Sequence, residues 1–186
     1  MKPAKAFTKK ALISLLSIAA ILTASYTFAA TAEEIEARSD AAMEQFTKTV
    51  SAGKALLEKA DGYLIFPSVI KAGLGIGGEY GEGALRVGGK TVQYYSTAAG
   101  SIGFQFGAQS KSVLMLFMTK DSLEQFRNSD GWEVGVDGSV ALIELGAGGS
   151  IDTTNFTDPV IAFIFGQKGL MYNLTLEGTK MTKIVR

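Results

Sequence analysis

Gly73-Leu74-Gly75-Ile76-Gly77-Gly78-Glu79-Tyr80-Gly81-Glu82-Gly83 is the stretch on which the fold turns. Its glycines at 73, 75, 77, 81 and 83 share one parity, and in an extended chain one parity is one face. A strand with a bare face either packs closely against another backbone or bends sharply. The first six residues also match G-x-G-x-x-G, the phosphate-binding turn of dinucleotide folds. That turn needs a helix after it, whose N-terminus takes the pyrophosphate. Glu79-Tyr80-Gly81-Glu82-Gly83-Ala84 is a poor helix and already acidic, so the stretch reads as β-strand.

Outward from it the texture is consistent. Upstream, Tyr63-Leu64-Ile65-Phe66 reads as a short strand ended by Pro67. Residues 33 to about 59 read as helix, because Ile35, Met43, Phe46 and Val50 recur at roughly helical intervals. Gly53 breaks that helix into two, Asp61-Gly62 stops it, and Glu33, Glu34 and Glu36 suit the positive end of its dipole. Downstream, Val92-Gln93-Tyr94-Tyr95 is a strand, and Ile102, Phe104 and Phe106 alternate with small or polar residues. The unbroken apolar run 113–118 looks like a central strand covered on both sides. Asp121-Ser122-Leu123-Glu124 has the form of a capping box opening one short helix that ends near Arg127. Trp132, Val134 and Val136 alternate again, and strands follow at 140–145, 160–165, 170–177 and 181–185.

The expected fold is therefore α+β and mainly antiparallel β. An N-terminal helical segment precedes a curved sheet, sandwich or partly closed barrel of about eight short strands with one short inserted helix. Short connections favour antiparallel pairing. The lack of long βαβ helices excludes a doubly wound parallel sheet.

The N-terminus carries a different signal. Lys2, Lys5, Lys9 and Lys10 precede an apolar stretch at 11–22, and a small-residue region follows. This order is that of a secretory signal peptide, with cleavage between Ala32 and Glu33, or upstream after Ala29. The apolar run is about 12 residues, against the roughly 20 needed to span a hydrocarbon core. Two segments result: a signal peptide at 1–32 and a single domain at 33–186, periplasmic or secreted, with no transmembrane helix after processing. Without cysteine there is no residue for a lipid anchor, so the processed domain is expected to be soluble.

Charge and composition narrow the chemistry. The 186 residues carry 18 basic and 18 acidic side chains. Four of the basic ones precede Glu33, so the processed chain has 14 against 18, a formal −4. Nucleic-acid binding, which depends on concentrated positive charge, is disfavoured. General attraction to anionic membranes is removed too, leaving only local basic patches. The sequence has no His and no Cys, which excludes thiol nucleophiles, His-based triads and the usual zinc sites. Glu79 and Glu82 have opposite strand parity and need not converge, while Asp152 and Asp158 sit in an ordinary polar loop. No catalytic residues, metal site or cofactor are expected. Trp132 and the phenylalanines read as core. Lys71, Arg86, Lys90, Lys111 and Lys168 are the candidates for a local anion-binding patch.

Three segments resemble a known family together. Tyr63-Leu64-Ile65-Phe66-Pro67-Ser68-Val69-Ile70-Lys71-Ala72-Gly73-Leu74-Gly75-Ile76-Gly77-Gly78 resembles the leading motif of the SYLF family, also called the yeast-type actin-binding domain. Gly100-Ser101-Ile102-Gly103-Phe104-Gln105-Phe106-Gly107-Ala108-Gln109-Ser110 is similar to its second signature. Phe165-Gly166-Gln167-Lys168-Gly169-Leu170-Met171 and Leu176-Glu177-Gly178 resemble the closing one. The resemblance covers about 33–186 and implies a non-enzymatic lipid-binding module. Lys71 matches a family motif position, and Arg86 and Lys168 are further candidate lipid contacts. Secreted bacterial members, which this chain resembles, meet no actin, so the implied partner is a lipid head group or another envelope component. The alternative is a protein-interaction module of the envelope that assembles through its apolar strand edges.

Overall fold

Two long strands carry the architecture: β1, Gly62–Val87, and β2, Lys90–Phe117. They pair antiparallel from Gly62 opposite Phe117 to Val87 opposite Lys90. The computed structural model describes residues 29–145, 158–169, 176 and 178–186, without the side chains of 74, 75, 101–106 and 144. The expected signal peptide up to residue 28, the polar loop at 152–155 and nearly all of the strand expected at 170–177 lie outside the described residues. Thr31–Arg186 forms one compact unit.

The β1–β2 turn is set by Gly88 and Gly89, whose φ values of 57° and 76° make the two-residue turn that suits twisted hairpins. Further down the ribbon, regular pairing ends at Leu74 opposite Phe106 and resumes at Ile76 opposite Ile102. β2 thus spends three residues where β1 spends one, and extra residues in one strand bend a ribbon. The distal half folds back over the proximal half. A Cβ on Gly83 would lie 2.2 Å from the Ile65 carbonyl oxygen, and one on Gly81 would lie 2.9 Å from that of Ser68. The bare face expected from the glycine parity is the face on which β1 approaches its own backbone.

The rest of the sheet builds on the two halves of β2. Its proximal half pairs antiparallel with β5, Val160–Gly169, which pairs parallel with β4, Ala141–Glu144. Its distal half pairs with β6, Lys180–Ile184, which pairs with β3, Trp132–Glu133. The result is one curled, mostly antiparallel sheet with an N-terminal helical segment, as expected. Three expectations change. Pro67 does not end a strand: it sits at a register shift between Phe66 and Val69, a bulge where a residue without an amide proton is tolerated. What reads locally as several short strands is one continuous hairpin. And β4–β5 is parallel, because 15 residues separate Glu144 from Val160, enough chain to return to the same end.

Three helices complete the domain: α1, Ala32–Thr49, α2, Gly53–Lys59, and α3, Lys120–Asn128. A reciprocal capping box starts α1. The Glu34 amide donates to Thr31 Oγ1 at 3.2 Å, and the Thr31 amide donates to Glu34 Oε2 at 3.1 Å. The buried stripe of α1 is Ile35, Ser39, Ala42 and Phe46, with Met43 on its margin. In α3 the cap is Thr119, whose hydroxyl accepts from the Ser122 amide at 3.2 Å, so the expected box at Asp121 lies two residues too late.

The alternation of β2 sorts the core. Leu114 and Leu116 face α1, α2 and the β5 phenylalanines, where Phe46 stacks edge-on to Phe163 at 5.0 Å. Val113, Met115 and Phe117 face the other cluster, with Leu85, Tyr95, Phe126 and Trp132. The run at 113–118 is a central strand with core on both faces, and Trp132 is core. Each fully buried aromatic or aliphatic side chain contributes about 1.5–3 kcal/mol relative to exposure. The two clusters therefore carry the domain without disulfides.

Candidate functional site

The core face of β2 does not stop at Val113. Counting back by twos along the same face gives Lys111 and then Gln109. Opposite them on β1 stand Val69, partner of Lys111, and Lys71, partner of Gln109. Val69 is buried in the core between the sheet halves, so Lys71, Gln109 and Lys111 point to that same side. All three are buried, Lys71 at 7% exposure, Gln109 at 5% and Lys111 at 3%.

The distal half of β1 supplies the fourth member. Gly83 and Gly81 present no side chain to the proximal backbone, so Glu79 is the first residue of that parity to project one inward. Lys111 Nζ donates to Glu79 Oε2 at 3.1 Å, and both side chains are almost fully buried. The ion pair joins the two halves of the folded ribbon. Glu79 Oε1 and Gln109 Oε1 are buried with no hydrogen-bond partner. Among the described residues no carboxylate pairs with Lys71. The cluster thus holds two cations and one anion, a surplus of one positive charge, together with two unsatisfied acceptors.

Of the other basic candidates, Arg86 is committed. It donates to Glu36 Oε2 at 2.6 Å, and its other terminal nitrogen pairs with Asp40 Oδ1 at 2.7 Å. This fastens α1 to the end of the hairpin. Lys168 is exposed on β5, in the row of Ser110 and Ile70, adjacent to that of Lys71 but facing the other way. The structure does not bring Lys71, Arg86 and Lys168 together. It puts Lys71 with Lys111, Gln109 and Glu79, of which Lys111 stood only in the wider set of basic candidates. Extending the parity of Val113, Met115 and Phe117 back to 111 and 109 is the sequence signal that finds them.

Glu36 is a second polar hub. Tyr94 Oη donates to its Oε1 at 2.9 Å. Burial alone would raise its carboxyl, but hydrogen bonds from Thr91, Arg86 and Tyr94 outweigh burial and hold it below the usual 4.5. A carboxyl lowered in the folded state stabilises above the unfolded value, and that stabilisation fades as pH falls through the lowered one. Thermal melts of Glu36→Gln are expected to decline less steeply than wild type as pH drops below 4.5. Identical slopes would remove Glu36 from the acid response.

Glu82 is spoken for as well. It accepts from the Arg186 guanidinium and from Tyr80 Oη at 2.7 Å. Burial and the neighbouring Glu82 push the Tyr80 hydroxyl up to about 12. Glu79 and Glu82 therefore serve separate ion pairs and do not converge. Among the described residues no cluster of three His, Cys, Asp or Glu side chains could hold a metal ion. An open groove of about 290 Å³ between β2 and β6, lined by Thr91, Gln93, Tyr94 and Ile184, ends at Arg186.

Residues 98–184 match the family model described as Ysc84, Las17-binding protein actin regulator. No curated protein matches the chain. The matched stretch runs from the distal part of β2 to the end of β6. It includes Gln109 and Lys111, while Lys71, Glu79 and all of α1 lie upstream of it.

Proposed function

Since residues 98–184 belong to the Ysc84 (SYLF) family, we propose that this chain is a non-enzymatic lipid-binding domain of the cell envelope, exported by its N-terminal signal and working in the periplasm. The observation that carries the reading is Lys71, a nearly buried side chain with no carboxylate partner among the described residues, beside an unsatisfied Gln109 oxygen. Its ammonium is not itself a buried atom, so it can meet an anionic head group from the surface through charge-assisted hydrogen bonds. The family description names actin regulation, but a chain working in the periplasm has no actin to regulate, so a lipid or envelope component is the partner proposed. Among the described residues no helix is long and apolar enough to cross a membrane, so contact with lipid would run through the folded domain.

Co-sedimentation of the processed protein with vesicles of its own envelope lipids at low salt tests the reading. Retention on at least one lipid class is expected, and failure on all of them would sink it. One feature favours a second reading, an envelope assembly module. Among the described residues β4 stands at the end of the sheet with Leu142 exposed, an edge to which another chain could add a strand. A stoichiometric protein partner recovered from envelope extract, with no lipid retention, would favour that reading instead.

A further inference from the structure

We infer that the buried cluster of Lys71, Glu79, Gln109 and Lys111 is a site for one singly charged phosphodiester that also carries hydroxyl groups. The inference rests on the lipid-binding reading and specifies what that site recognises. It follows from what the four side chains still lack.

The first requirement is charge. Two ammonium groups and one carboxylate leave a surplus of one, and a single negative charge balances it. A water molecule can donate to the two unsatisfied oxygens, but it cannot neutralise Lys71. A phosphomonoester, approaching two negative charges near neutral pH, would overshoot. The second requirement is hydrogen-bond sense. Three ammonium N–H groups on Lys71, and those of Lys111 not directed at Glu79, need acceptors, which non-bridging phosphate oxygens supply. Glu79 Oε1 and Gln109 Oε1 need donors, which a bare phosphate or sulfate ester lacks and a polyol hydroxyl supplies.

Ile70, which directly precedes Lys71, is 56% exposed on the opposite sheet face, and Ile76, at the bend of the ribbon, is 75% exposed, so apolar side chains stand on the surface of the same ribbon. A phosphatidylglycerol-type head group and a free glycerophosphodiester share the required chemistry, and the test separates them.

Wild type and Lys71→Met would be titrated with phosphatidylcholine vesicles, with the same vesicles containing phosphatidylglycerol or phosphatidic acid, and with soluble glycerophosphoglycerol. Wild type is expected to prefer phosphatidylglycerol to phosphatidic acid. Lys71→Met should bind it roughly ten- to a hundredfold more weakly, the range for losing one charge-assisted hydrogen bond. Its melting temperature should stay close to wild type, because the nearly buried Lys71 stem is replaced by an apolar chain of similar length and no ion pair is lost. Gln109→Leu provides the second variant and should weaken binding without misfolding. If wild type binds these vesicles and both variants bind as tightly, the site is overturned while lipid binding stands. Lys71-dependent binding of the soluble diester without vesicle binding would keep the site and overturn the lipid source. Binding of neither overturns both.

Discussion

Gly83→Ala is expected to lower the melting temperature by roughly 6–12 °C. The added methyl would lie 2.2 Å from the Ile65 carbonyl oxygen and 2.7 Å from Phe66 Cδ1. The first of these is backbone of the same strand and has no rotamer by which to withdraw. Overpacking costs about 1–3 kcal/mol, more where nothing can yield, so about 3 kcal/mol is a fair expectation here. For a chain of this size each kcal/mol moves the midpoint by about 2–4 °C. Gly100→Ala is the control: nothing lies within 4 Å of its Cβ, and it should melt within a degree or two of wild type. Differential scanning calorimetry on both variants decides the matter. If Gly83→Ala melts with the control, the two halves of β1 do not touch as described.

The second large effect is expected at the buried ion pair, and it should be asymmetric. Glu79→Gln removes the one carboxylate of the cluster and leaves the Lys111 ammonium buried with no counter-charge. Breaking a buried pair in this way costs about 3–5 kcal/mol. Lys111→Met leaves Glu79 buried, but with Lys71 still on the same sheet face to offset it, so the loss should be smaller. The double variant should lose less than the sum of the two, as for side chains in contact. Urea unfolding with a constant m-value measures all three. Equal single effects that add without coupling would mean that Glu79 and Lys111 do not depend on each other.

Much of the fold was legible because it is written in short-range periodicity. The α1 stripe, the two-sided run at 113–118 and the glycine parity each follow from side-chain spacing along one element, and each is in the structure. What was hidden depends on residues far apart in sequence. Pro67 looks like a terminator because it lacks an amide proton. It is tolerated because it sits at a bulge in the β1–β2 ladder, where its carbonyl accepts from Ser112 Oγ at 2.9 Å. The bend of the ribbon arises from a count mismatch between two strands, which neither strand shows by itself.

The polar cluster illustrates both sides. Lys71 was visible as a motif position, but its setting required knowing that Gln109 stands opposite it and that Glu79 returns from the folded-back half. Arg86 is a candidate by its charge alone, and that charge is spent on Glu36 and Asp40 of α1. Composition counts charges. Only register says which of them are already satisfied.

The α1 capping box bears on how the precursor is matured. Under the proposed export, a peptidase cutting after Ala32 would sever Thr31 from the helix that it caps. Both reciprocal hydrogen bonds would go, at about 0.5–2 kcal/mol for the cap. A new terminal ammonium would also stand at the positive end of the helix dipole, where positive charge is unfavourable. A cut after Ala29 keeps Thr31 and its bonds, so the mature chain that begins at Ala30 is the one whose first helix is fully formed. Three residues at the scissile bond thus decide how firmly α1 is seated on the sheet.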